Sequence, residues 1–174
     1  MPTTAPEYVV FEGPGMDAFA ESPEWGGSLV IFPFMYYETY GDDSLIKKYY
    51  QHMRRYTDYL KTRADNGILS FGLGDWYDYG DFRAGFSRNT PVPLVATAHY
   101  YMTVMYLIKA ARMVGNEFDV RYYSSLAYDI MVAFNKRFLD SNTAQYGTGS
   151  QASNALPIFL QMIQSTGDKG DYTP

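Results

Sequence analysis

The run Trp25-Gly-Gly-Ser-Leu-Val-Ile-Phe-Pro-Phe-Met-Tyr-Tyr-Glu-Thr-Tyr40-Gly41 decides the fold. From about Gly27 to Tyr40, its residues Leu29, Val30, Ile31, Phe32, Phe34, Met35, Tyr36 and Tyr37 are apolar on every face of a helix. Such a helix needs cover all round. Gly41 is its stop signal, because glycine enters the left-handed conformation that ends helices without a steric cost. Pro33 is expected to kink the helix or to mark its first turn. The next segment, Asp43 to about Ala64, has the opposite character. Ile46, Tyr49, Tyr50, Met53, Tyr56 and Leu60 recur at steps of three and four, with Lys47, Lys48, Gln51, Arg55, Asp58 and Lys61 on the other side. That spacing predicts an amphipathic surface helix with Asp43 or Ser44 as N-cap.

The alternation returns twice. Pro93 to Val114 is apolar nearly all round and stops at Gly115, and Glu117 to Leu139 carries the stripe Phe118, Tyr122, Leu126, Ile130, Phe134 and Phe138. A last apolar helix is expected from Gln151 to about Ile163. Gly41-Asp-Asp ahead of Tyr49-Tyr50 is echoed by Gly115-Asn-Glu ahead of Tyr122-Tyr123. Each unit reads as a helical hairpin with a Gly-centred turn. Inner helices ringed by outer ones satisfy both kinds of burial demand, which is the logic of an all-α, α/α-toroid fold built of inner/outer helical hairpins. A plain helical bundle is the competing architecture; an α-solenoid fits less well, because its helices are rarely apolar on all faces. The expected organisation is an extended connector over residues 1–24, a partial toroid domain over 25–166 and a tail over 167–174.

A chain of 174 residues is ordinarily one domain. Roughly five helices, however, are too few to close a toroid. Its cut edges are expected to expose inner-helix surface and to invite self-association. The 14 Lys+Arg against 19 Asp+Glu leave a net charge of −5, which argues against nucleic acid as the main partner. Cysteine is absent, which removes disulfides, thiolate nucleophiles and Cys-based metal sites, and the two histidines lie far apart. No metal or cofactor is expected. No run is long and apolar enough to span a membrane, and residues 1–25 lack the basic and apolar regions of a secretory signal, which leaves the compartment open. With 18 tyrosines, part of the core is phenolic, and each buried hydroxyl is expected to find a hydrogen-bond partner.

Between the two hairpins lies DNGILSFGLGDWYDYGDFRAGFSRNTPV, residues 65–92. A loop of this length in a packed domain is functional or disordered, and its aromatic content argues against disorder. Gly74-Asp75-Trp76-Tyr77-Asp78-Tyr79-Gly80-Asp81 gathers aromatic rings and carboxylates. Sugars are recognised by that pair of groups: rings stack on C–H faces and carboxylates accept from paired hydroxyls. The competing reading is an Asp-rich turn with aromatics packed beneath it. Trp25 stands where the first inner helix begins, either stapling the connector or lining one mouth together with Trp76. Glu24 is read as a charge favouring the helix N-terminus. His99 reads as a satisfied core histidine and His52 as solvated; Asp42, Asp43 and Glu117 read as caps. Gln151 and Asn154 could reach the same mouth. Gly72-Leu-Gly74 has no Walker lysine, and Ser150 and Ser153 have no nucleophile-elbow context.

Taken in order, these residues resemble a known family. The run from Trp25 to Gly41-Asp42, the Gly74-Asp75-Trp76 loop, Ala110-Ala111 through Gly115, and Gly149-Ser-Gln-Ala-Ser-Asn-Ala-Leu156 are similar to segments of bacterial α-L-rhamnosidases of glycoside hydrolase family 78. The resemblance covers roughly residues 20 to 165 and implies an interior part of an (α/α)6 barrel that hydrolyses terminal α-L-rhamnose with inversion. It implies that Trp25 and Trp76 are walls of the rhamnose pocket and that Asp75 supports it. The family's general acid lies in an Asp-x-x-x-Arg-Asp-Glu motif upstream of the Trp-helix, which nothing in residues 1–24 matches, and its general base lies further downstream. No catalytic residue is therefore carried over, and an inverting reaction needs two carboxyls. The leading expectation is a fragment of an α-L-rhamnosidase-like enzyme, inert alone, with a rhamnose-containing glycan or glycoside as partner. The compartment is left unassigned, a periplasmic or extracellular site being compatible with the full-length enzyme. The alternatives are a non-catalytic carbohydrate-binding or assembly module, or another α/α-toroid glycosidase with Asp75, Asp78 or Asp81 doing the chemistry.

Overall fold

A computed structural model describes Phe19 and residues 22–163. Most of the expected connector and all of the expected tail lie outside the described residues. Six helices form the body. A one-turn helix α1 (Pro23–Gly26) leads into α2 (Ser28–Tyr40), followed by α3 (Ser44–Arg63), α4 (Val92–Met113), α5 (Glu117–Phe138) and α6 (Gln151–Phe159). The architecture is all-α with inner α2, α4 and α6 and outer α3 and α5, an α/α-toroid arrangement. Helix α4 is its centre and packs on α2, α3, α5 and α6. Its side chains Leu94, Ala96, Ala98, Val104 and Leu107 are completely buried. Burial of a leucine or valine of this kind contributes about 1.5–3 kcal/mol. The outer helices bury one stripe each: Ile46, Tyr50, Met53, Tyr56 and Leu60 on α3, and Tyr123, Ala127, Ile130, Phe134 and Phe138 on α5.

The three apolar helices are not covered equally. Only Val30, Pro33 and Phe34 are buried on α2, while Phe32 is 63% and Met35 53% exposed. Ile158 and Phe159 stand exposed on α6. These are the inner-helix faces on either side of α4, and they lie where exposed surface was expected.

Several local expectations change. Of the two places expected for Pro33, it does not take the first turn; it sits inside α2 and packs into the core. Gly41 does end α2, at φ +69°, its N–H bonded to Tyr37 O at 2.8 Å. Asp43 occupies the N-cap position of α3, but its side chain caps nothing; it pairs with Lys47 at 2.8 Å, and Asp42 Oδ1 accepts from Ser44 N at 2.9 Å. Glu117 is not a cap either: Asn116 accepts from Asp119 N at 3.1 Å. Helix α6 ends at Phe159, earlier than its apolar run, and Asn135 Nδ2 then donates to Met162 O at 2.7 Å and holds that segment against α5. Two short ribbons that no alternation had signalled appear in the loops. They are β1 (Asp78–Gly80) with β2 (Phe82–Gly85) and β3 (Leu139–Asp140) with β4 (Gln145–Tyr146), both antiparallel.

The buried phenols are mostly satisfied. Tyr50 Oη donates to Asp119 at 2.5 Å, Tyr123 Oη to Asp58 at 2.7 Å and Tyr146 Oη to Asn135 at 2.5 Å. Tyr100 breaks the rule, because its hydroxyl has no hydrogen-bond partner among the described residues. Among the described residues no helix is long and apolar enough to cross a membrane.

Candidate functional site

The mouth is assembled by a carboxylate in the first turn of α1. Glu24 lies on α1 and reaches across to the Gly-rich loop. Its Oε1 accepts from Gly74 N at 2.8 Å and its Oε2 from Leu73 N at 3.2 Å, and Ser22 Oγ donates to the same carboxylate. The loop fits because Gly72 has no side chain: at φ +134° a Cβ there would stand 2.6 Å from Glu24 Oε2. Gly74, at φ +67°, faces Ser87 in the same way, with a Cβ only 2.7 Å from Ser87 Cβ. Two backbone amides are thus tied to the residue beside Trp25, immediately before Asp75 and Trp76.

The tryptophans meet through a third ring. Phe19 lies edge-on to Trp25 at 5.6 Å and to Trp76 at 4.8 Å between centroids, and Phe86 is edge-on to Trp76 at 5.3 Å. Phe19 is buried, while both tryptophans are 37% exposed. The result is one aromatic row, Trp25–Phe19–Trp76–Phe86, with its indoles open to solvent. Asp75, the residue before Trp76 in the chain, accepts from Thr90 Oγ1 at 3.2 Å. Thr90 Oγ1 lies 2.8 Å from Ser150 Oγ, which caps α6 and lies 2.8 Å from Ser153 Oγ. A chain of hydroxyls therefore connects Asp75 to the first turn of the last inner helix.

Asp78 has a different task. Its carboxylate accepts from Tyr79 N at 2.9 Å, Asn89 Nδ2 at 2.6 Å, Arg88 N at 2.7 Å and Asn89 N at 2.6 Å. These donors, Arg88 N first, hold its carboxyl below the usual carboxylate range. So engaged, Asp78 locks the β1–β2 hairpin. The lock is therefore present above the ordinary carboxylate range, near pH ~3.9, and is lost as pH falls through the depressed pKa of Asp78. In an acid titration followed by NMR, the Arg88 and Asn89 amide signals should move together. Signals that move independently of one another, or that titrate at or above the ordinary carboxylate range, would refute the lock. Asp81 lies exposed at the hairpin turn.

Other candidates separate. Gln151 faces the cleft beside Asp75, whereas Asn154 is occupied elsewhere, accepting from Tyr146 N at 2.9 Å and donating to Gly149 O at 3.3 Å. His99 is half-buried with Nδ1 2.9 Å from Val95 O in its own helix, and His52 is exposed. Sequence reasoning missed the latch role of Glu24 and the wedge Phe19. Its only signal for the latch was Gly72 and Gly74, two glycines in a loop that had to approach something closely.

Hairpins of alternating inner and outer helices, with an aromatic mouth where α1 meets the loop, define part of an α/α-toroid domain. A sequence model of the bacterial alpha-L-rhamnosidase six-hairpin glycosidase domain matches residues 1–171, and the chain belongs to that family. An alpha-L-rhamnosidase of Formosa agariphila is 29% identical over 121 residues, covering 67% of this chain and 12% of its own length. One of an Alteromonas species is 26% identical over 147 residues, covering 82% of this chain and 16% of its own. Among solved structures, the alpha-L-rhamnosidase from Dictyoglumus thermophilum superposes with a TM-score of 0.75 at 31% identity, over 82% of this chain and 16% of that one. The Streptomyces avermitilis enzyme, solved with L-rhamnose, has a TM-score of 0.73 at 21% identity over 83% of this chain and 13% of its own, a likeness of fold. The chain thus spans 12% to 16% of the length of these curated relatives.

Proposed function

We propose that this chain supplies part of the sugar pocket of an α-L-rhamnosidase-type glycoside hydrolase, acting on terminal α-L-rhamnosyl residues of a glycan or glycoside. Trp25 and Trp76 are the stacking walls of the pocket, and Asp75 accepts from sugar hydroxyls. The observation that carries this is the aromatic row: Phe19 brings two tryptophans far apart in sequence to one exposed surface, with the carboxylate of Asp75 one residue before Trp76 in the chain. Family membership supports the choice of sugar. Stacking and bidentate acceptance bind ground state and transition state alike, so these residues hold the sugar and leave the bond-breaking to an acid and a base. Glu24 and Asp78, each engaged with backbone amides, are structural.

The test is a titration of the chain with methyl α-L-rhamnoside, followed by tryptophan emission. Trp76→Ala should weaken binding about tenfold or more, equivalent to a loss of about 1.4 kcal/mol. Undiminished binding by that variant overturns the pocket assignment. Turnover of an aryl α-L-rhamnoside by the chain alone, at the rate of a complete enzyme, overturns the purely binding role.

A further inference from the structure

Helix α3 carries a charge that its position does not call for. Its 20 residues hold six cations, Lys47, Lys48, Arg54, Arg55, Lys61 and Arg63, against the single carboxylate Asp58. The helix is therefore at +5 in a chain whose net charge is −5, which leaves −10 for everything else. The other outer helix shows that this is no demand of the fold. Helix α5 also buries one stripe and turns the rest to solvent, yet its three cations are balanced by three carboxylates.

The cations of α3 fall into two rows. Lys47, Arg54 and Lys61 recur every seven residues, and each is engaged within the molecule: with Asp43 at 2.8 Å, with Asp119 at 3.2 Å and with Tyr122 Oη at 2.6 Å. Lys48, Arg55 and Arg63 form the second row, at steps of seven and eight that keep them on one face of the helix. All three are exposed, and none has a carboxylate partner among the described residues, where only Lys47 and Arg54 make ion pairs. Gln51, His52, Tyr59 and Thr62 share this face, so no acid interrupts it.

Unneutralised cations in a row set up a local positive potential, which attracts a polyanion even to a protein of negative net charge. Their spacing selects the kind of polyanion. At 1.5 Å per residue the second row is about 22 Å long, with a cation about every 11 Å. Duplex nucleic acid carries a charge about every 1.7 Å, far denser than this row can match. A polysaccharide whose carboxylates are set apart by whole sugar rings is sparser and fits it better. The row also leads towards the candidate pocket. Arg63 is the last residue of α3, and its guanidinium lies 5.1 Å from the centre of the Phe71 ring. Phe71 directly precedes Gly72, in the loop that Glu24 ties to α1.

We infer that the solvent row of α3 is a docking surface for an acidic polysaccharide, held by Lys48, Arg55 and Arg63. It goes beyond the rhamnosyl pocket and does not depend on it, since the row lies on another element and contains none of the pocket residues.

The experiment measures binding of the whole chain to polygalacturonate at rising salt, with dextran as the neutral control. The chain should bind polygalacturonate and not dextran, with an affinity that falls steadily as salt screens the charges. The triple variant Lys48→Gln, Arg55→Gln, Arg63→Gln should bind about tenfold more weakly with unchanged helical content. Lys109→Gln, Arg121→Gln, Lys136→Gln removes the same charge from exposed positions elsewhere and should leave the affinity as it was. Equal weakening by the two triple variants means that bulk charge is responsible and overturns the docking surface. So does no binding to polygalacturonate at low salt, or binding of duplex DNA or phosphatidylglycerol vesicles as tight as that of polygalacturonate. Failure of the pocket reading looks different: methyl α-L-rhamnoside does not bind, while polygalacturonate binding still depends on the row.

Discussion

Asp119→Ala should destabilise the fold by about 3 kcal/mol, because it removes the acceptor from a buried polar cluster and leaves its donors stranded. Asp119 is 2% exposed at the start of α5. It accepts from Tyr50 Oη at 2.5 Å and from Asn116 Nδ2 at 2.8 Å, and Arg54 Nε lies 3.2 Å away. Burial, with the Asp119 carboxylate, pushes the Tyr50 hydroxyl well up, so it remains a donor throughout the working pH range. These bonds matter because α3 and α5 are outer helices joined largely by side chains: Tyr50 to Asp119, Tyr123 to Asp58 at 2.7 Å and Lys61 Nζ to Tyr122 Oη at 2.6 Å. Urea unfolding reads the effect. Asp119→Asn, which keeps one acceptor oxygen, should cost about half as much, and a loss under about 1 kcal/mol for the alanine variant refutes the account.

Glu24→Ala should free the Gly-rich loop and weaken rhamnoside binding about tenfold while the helical content stays constant. Two amides, Leu73 N and Gly74 N, lose their acceptor, at about 1–3 kcal/mol for each group left unsatisfied away from water. Trp76 is two residues beyond, so its distance from Trp25 is no longer set. Gly72→Ala attacks the same latch from the other side, since its Cβ would stand 2.6 Å from Glu24 Oε2. Part of its effect is backbone strain at φ +134°, which persists in any background. The rest comes from displacing the carboxylate, so in a double-mutant cycle the two substitutions should cost less together than separately, by about 1 kcal/mol. Strict additivity would mean that Glu24 and Gly72 act independently and that the latch does not exist. Circular dichroism and tryptophan emission separate loop release from loss of the helices.

The helices were legible because burial writes periodicity into sequence. Ile46, Met53 and Leu60 recur at helical spacing because one face of α3 meets the core, and α4 reads as apolar all round because it is packed from four directions. The β1–β2 hairpin was illegible for the same reason. With Asp78 turned inward and Tyr79 outward, it buries a carboxylate and exposes a ring, the reverse of the pattern that marks a strand. Asp78 and Asp75 look alike in the motif, and only their donors tell them apart: four hydrogen bonds on Asp78, one from Thr90 on Asp75.

By itself, the sequence determined the order of inner and outer helices, the Gly41 stop, and the aromatic and acidic character of the loop over 74–81. Those depend on side-chain character and spacing along one chain, which local physics reads directly. Tertiary structure alone decided that Phe19 joins the tryptophans, that Glu24 closes the loop onto α1, and that Asn116 rather than Glu117 caps α5. It also decided how far α2 is covered: three buried residues in a helix apolar on every face, because cover comes from neighbours, and α3 and α4 leave part of its surface open.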